Sequence, residues 1–191
     1  MLRFAVVFAL ALTGAAFAQD VVDYLGIPGP IVLGDTSYEL AWSSHPLPHY
    51  TKHEYVPEGQ AVESYQSMVM IDFLASDVTP MSMAETMMAS LEERKGTDPM
   101  VNMELIQNDA TGEVILDFLL SAPDAEGEII VEWNAYRYAS EVDAEGKEGT
   151  LLFAVSHRAY GEEAADRFVA DLAVLREEQI ALVANAALPE L

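Results

Sequence analysis

The sequence predicts an α+β domain, an antiparallel sheet packed with two main helices. Apolar residues alternate with polar ones in several separate runs, the period of half-buried strands. Two longer stretches, 80–95 and 162–187, instead repeat apolar residues at helical spacing. Strands and helices fall in blocks and do not interleave, which favours an antiparallel sheet over a parallel one.

Arg3, the apolar run Phe4 to Leu12 and the Ala16-Phe17-Ala18 site have the form of a secretory signal peptide over residues 1–18. The apolar run is shorter than the roughly 20 residues a bilayer crossing needs. The expectation is a periplasmic or secreted protein, not inserted in a membrane after cleavage, with residues 19–191 as one domain. The chain has no cysteine, so burial and not disulfide bonding must stabilise the exported domain.

Ile31-Val32-Leu33 and the alternating Tyr38, Leu40 and Trp42 flank the turn Gly34-Asp35-Thr36-Ser37, an expected hairpin. Residues 42–60 then read as an extended arm. Tyr65 to Leu74 is an expected strand with Val69, Ile71 and Phe73 on one face and Met68 and Met70 on the other. Thr79 is a good N-cap and Pro80 suits the first helical position. Met81, Ala84, Met88 and Leu91 form the stripe of that helix, and Arg94, Lys95 and Gly96 mark its end.

From 101 to 160 the alternation describes a meander. Its connections include Asp-Ala-Glu-Gly at 124–127 and again at 143–146. Phe168, Leu172, Leu175, Leu182 and Val183 give the closing helix its apolar stripe. The order of a first helix at Thr79–Lys95, a meander at Asn102–Tyr160 and a closing helix at Glu162–Ala187 resembles the PsbP-like periplasmic α+β sandwiches. The resemblance implies a binding or accessory role more than catalysis, and carries no functional residue with it.

Thirty-two acidic residues face nine Lys and Arg, a formal net charge of −23. Such a surface repels phosphate backbones and anionic headgroups, which argues against nucleic acid and against electrostatic membrane docking. Solubility in a salty habitat or a cationic partner would each account for it.

The segment WSSHPLPHYTKHEYVPEGQ concentrates the candidate chemistry, and Trp42, His45, His49, Tyr50, His53 and Tyr55 are the expected contact residues. The three histidines are four apart, but Pro46 and Pro48 forbid a regular helix. In an extended chain neighbours in that series stand about 13 Å apart, too far for one ion with bonds of about 2 Å. The arm is therefore read as a contact surface for an unknown protein or small ligand, with no cofactor.

Eight of the nine methionines lie between Met68 and Met103. Met68, Met70, Met81 and Met83, with the three histidines, give the alternative of copper or another transition metal, since thioethers are soft ligands. The same methionines would also serve as adaptable core fillers.

Glu132, Asn134 and Tyr136 share one face of the strand 128–138, while Arg137 points to the other. Arg158 lies in the next strand, near His157 and Tyr160. A strand arginine in so acidic a chain is expected to pair with a carboxylate, as a structural pair or as a seat for an anionic group. No G-x-S-x-G, H-E-x-x-H, Walker A or G-x-G-x-x-G motif occurs. A non-enzymatic protein is expected.

Overall fold

The computed structural model describes residues 21–191, and the signal peptide expected over residues 1–18 lies outside them. The elements are β1 (Ile31–Leu33), β2 (Thr36–Leu47), β3 (Tyr50–Val56), β4 (Ser67–Leu74), α1 (Pro80–Arg94), β5 (Asn102–Gln107), β6 (Val114–Pro123), β7 (Ile129–Val142), β8 (Glu148–Tyr160) and α2 (Glu162–Asn185). All strands join one antiparallel sheet in the order β1-β2-β3-β4-β8-β7-β6-β5.

This architecture corrects the expected balanced α+β sandwich. It is a strand-dominated fold, an eight-stranded antiparallel sheet curled into a half-barrel and accompanied by two helices. The difference lies in the supposed arm. Residues 42–47 continue β2, and Tyr50 to Val56 form β3, paired with β2 on one side and β4 on the other. Pro46 is tolerated because β1 pairs only with Thr36–Tyr38, leaving the outer side of the later β2 as an edge. The β2–β3 ladder is also irregular between Ser44 and Leu47, where a missing N–H costs little.

The two helices pack on opposite faces of the sheet. Trp133, Ala135, Val155, Phe153, Ile71 and Val69 form one face and meet Phe168, Leu172, Leu175 and Val183 of α2. On the other face Val114, Leu116, Phe118, Tyr138 and Leu152 meet Ala84 and Leu91 of α1, which packs chiefly against β6 and β7. Thr79 caps α1 as its sequence predicts, its hydroxyl accepting from the Ser82 amide at 3.2 Å. β8 runs close against β4 through Gly149, where any side chain would collide with the Leu74 carbonyl and the Phe73 ring.

Strand arginine Arg137 anchors the end of α2. Its guanidinium donates to the carbonyls of Val183 (3.0 Å) and Ala186 (2.8 Å) and pairs with Glu113 at 3.0 Å. The last turn of α2 has no basic residue of its own, so β7 supplies the positive charge that a helix C-terminus favours. Among the described residues no helix is long and apolar enough to cross a membrane.

Candidate functional site

Cross-strand register sets which side chains share the α1 face of the sheet. One row runs Glu54, Met70, Ala154, Tyr136, Leu116 across β3, β4, β8, β7 and β6. The row on one side holds Lys52, Asp72, Leu152 and Tyr138, and the row on the other holds Met68, Ser156 and Asn134. Beyond those, Arg158 stands opposite Glu132. The curled sheet thus gathers acids, bases, amides and four tyrosines where an ordinary domain would place apolar core.

Two ion pairs organise this face. Lys52 Nζ lies 2.9 Å from Asp72 Oδ2, which also accepts from the Tyr50 hydroxyl at 2.6 Å. Both bonds use one oxygen, and Asp72 Oδ1, buried, has no partner. At the other end Arg158 pairs with Glu132 and lies 4.1 Å from the Tyr65 ring centroid. Glu132 also accepts from the Tyr65 hydroxyl (3.1 Å) and from Asn134 Nδ2 (2.9 Å). Asn134 Oδ1 is the second buried acceptor on this face without a partner. Unpaired buried acceptors cost about 1–3 kcal/mol each, so a face that keeps two is a candidate for binding.

Glu54 lies between the two pairs. Burial pushes its carboxyl up to about 7, despite the nearby Lys52 and Arg158 that favour ionisation. The fold therefore prefers it neutral. Its contribution to stability is full below the ordinary carboxylate range and is lost as pH rises from about 4.5 through about 7. Glu54→Gln is expected to match the wild type near pH 4.5 and to exceed it by about 2 kcal/mol at pH 8, after allowance for partial exposure. Urea midpoints at a series of pH values check this, and a constant difference would contradict it. Desolvation also raises Tyr50 and Tyr65 above the ordinary phenol range, keeping both hydroxyls neutral donors.

The contact residues expected from the sequence divide between the two faces. Trp42 stands opposite Glu54, half exposed at 39%, and Tyr50 reaches Asp72, so both belong to the polar face or its rim. His53 and Tyr55 are fully buried on the other side. The Tyr24 amide donates to His53 Nε2 at 3.1 Å, so His53 Nδ1 carries the proton and donates to the Tyr55 hydroxyl at 3.0 Å. Tyr55 in turn donates to the Ile27 carbonyl, and both ring nitrogens of His53 are engaged. His45 bonds Thr51 through Nδ1 at 2.8 Å and stacks on Tyr24. With His49 it lines a cavity of about 370 Å³ between the β2–β3 turn, Phe73 and Lys147.

The soft-metal residues are divided in the same way. Met70, Met81 and Met83 pack together on the α1 face, and Met68 adjoins Met70. The histidines lie across the sheet from them or at its end. Among the described residues no group of three or more His, Asp or Glu is placed to hold a metal ion.

Sequence reasoning recognised the shared face of Glu132, Asn134 and Tyr136 and the pairing of Arg158. It placed Tyr138 at the end of that face and missed Lys52, Glu54, Tyr65 and Asp72. Asp72 left a visible signal, a carboxylate within the otherwise apolar run MVMIDFL. A family model matches residues 25–188, and the chain belongs to that family; the match carries no activity with it. No curated protein and no solved structure matches the chain.

Proposed function

We propose that this is an exported, non-enzymatic binding protein that takes a small polar ligand on the α1 face of the sheet. The observation that carries the reading is the pair of buried, unpartnered acceptors, Asp72 Oδ1 and Asn134 Oδ1, on one continuous face. A ligand bound on this face would supply the donors that these two acceptors lack. Trp42 at the rim and Tyr136 within offer rigid aromatic contact at low entropic cost.

The test is a thermal-shift panel of small cationic, neutral and anionic metabolites against the wild type and Trp42→Ala. Trp42 is 39% exposed and buries the rest of its ring, so its removal lowers stability by about 1–2 kcal/mol, and each compound is scored by the shift from that protein's own ligand-free midpoint. At least one compound should raise the wild-type midpoint and raise that of Trp42→Ala less. A panel with no response, or responses equal in both proteins, sinks the reading.

A further inference from the structure

We infer that the ligand of the α1 face is an elongated organic amine, its ammonium held at Glu54 and Asp72 and its stem directed past Met70 and Tyr136 toward Asn134. This inference rests on the proposed binding role and gives that role a ligand class.

The first argument is the sign of what is missing. The fully buried side-chain atoms that lack partners on this face, Asp72 Oδ1 and Asn134 Oδ1, are both acceptors. Lys52, Tyr50, Tyr65, Asn134 Nδ2 and Arg158 Nε each direct a donor at Asp72 or Glu132. An incoming carboxylate or phosphate would find three carboxylates, Glu54, Asp72 and Glu132, on the same face. An ammonium, which has three donors and no acceptor, meets the requirement.

The second argument is charge balance. Lys52 offsets Asp72 and Arg158 offsets Glu132, which leaves Glu54 as the carboxylate over. Among the described residues no ion pair forms at it. The charged groups around it are Lys52 on its own strand, Asp72 on β4, Arg158 on β8 and Glu63 in the β3–β4 connection. A positive charge placed beside Glu54 would offset it once ionised and reduce the cost of ionising it.

The third argument is spacing and lining. Glu54 and Asp72 are one strand and one row apart, about 8 Å between Cα atoms at ordinary strand spacing, so both can reach one ammonium group. Asn134 is two strands and two rows from Asp72, about 16 Å away, so the same ammonium cannot serve it. A second donor on an extended ligand can. Between them lie the half-buried Met70 and Tyr136 rather than further charges, a lining suited to a methylene stem and to cation–π contact.

Isothermal titration of the full-length mature protein at pH 8 in 0.15 M salt tests this, with cadaverine and spermidine as probes and glutarate and glycerol as controls. Spermidine should bind at one site per chain, more tightly than cadaverine, and neither control should bind. Glu54→Gln should weaken spermidine at least tenfold while remaining folded, and lowering the pH to 6 should weaken the wild type about fivefold. Loose accumulation on so acidic a surface would instead give several sites per chain, indifference to Glu54→Gln and loss in 0.3 M salt, and that pattern overturns the inference. A neutral or anionic compound that binds in the panel while both amines fail overturns the amine class but leaves the binding role standing. Failure of every compound removes both.

Discussion

Arg158→Met should destabilise the protein by about 3–5 kcal/mol, the largest loss expected from a single substitution on the α1 face. Glu132 is 4% exposed and has its charge balanced by Arg158. Without that guanidinium the carboxylate keeps only the neutral donors of Tyr65 and Asn134, and the apolar methionine stem cannot replace the cation. The Tyr65 ring also loses the guanidinium stacked 4.1 Å from its centroid. Breaking one side of a buried pair is costly because the other charge is stranded, not because the pair itself contributes that much. The double variant Arg158→Met with Glu132→Gln should therefore recover at least half of the loss. Urea unfolding of the two variants and the wild type, compared at equal m-value, measures it. A double variant as unstable as the single one would show that packing around Arg158, and not the stranded charge, is responsible.

That same pair shows what could be read from the chain. The strand pattern revealed that Glu132, Asn134 and Tyr136 share a face and that Arg158 needs a carboxylate. Which carboxylate it finds depends on the β7–β8 register, which places Glu132 opposite Arg158 and is fixed by pairing along thirteen residues rather than by any local signal. α1 was legible because its determinants are local: Thr79 and Pro80 at the start, an apolar stripe, and Gly96 after the end. β2 was not, because Pro46 and Pro48 argue locally against a strand, and only the free outer edge and the ladder irregularity explain why the strand continues.

The division of the histidines from the methionines was hidden for a related reason. Side-chain parity along β2 and β3 depends on the irregularities between Leu40 and Trp42 and between Ser44 and Leu47. An unbroken alternation would have placed Trp42, Ser44 and His45 differently, since a shift of one residue exchanges the two faces. The result is that one short segment serves two purposes. Trp42, Tyr50, Lys52 and Glu54 furnish the α1 face, while His53 and Tyr55 hold the chain at Tyr24 and Ile27 to the back of the sheet. A segment with both duties gives a mixed composition, and its sequence alone did not separate the anchor from the site.

On the opposite face, Asp117→Ala should cost about 3–4 kcal/mol and loosen α2 from the sheet. Asp117 is 2% exposed and is the acceptor for the indole N–H of Trp133, itself fully buried. Its other oxygen accepts from Arg176 Nε at 2.8 Å, and Arg176 reaches on to Glu104 at 3.1 Å. One carboxylate thus joins β6, the core tryptophan and the middle of α2. Alanine leaves the Trp133 donor without a partner in an apolar interior, about 1–3 kcal/mol by itself, and adds the loss of a charge-assisted anchor. Arg176 is partly exposed and can turn to water, so the damage centres on Trp133. Near-ultraviolet circular dichroism and the tryptophan emission maximum should therefore change along with stability. Asp117→Asn is the discriminating variant: its amide oxygen can still accept from Trp133 or Arg176 but carries no charge, so it should lose about half as much. If Asp117→Asn and Asp117→Ala are equally unstable, the charge opposite Arg176 is what docks the helix. If Asp117→Asn matches the wild type, the indole hydrogen bond alone is what the core requires.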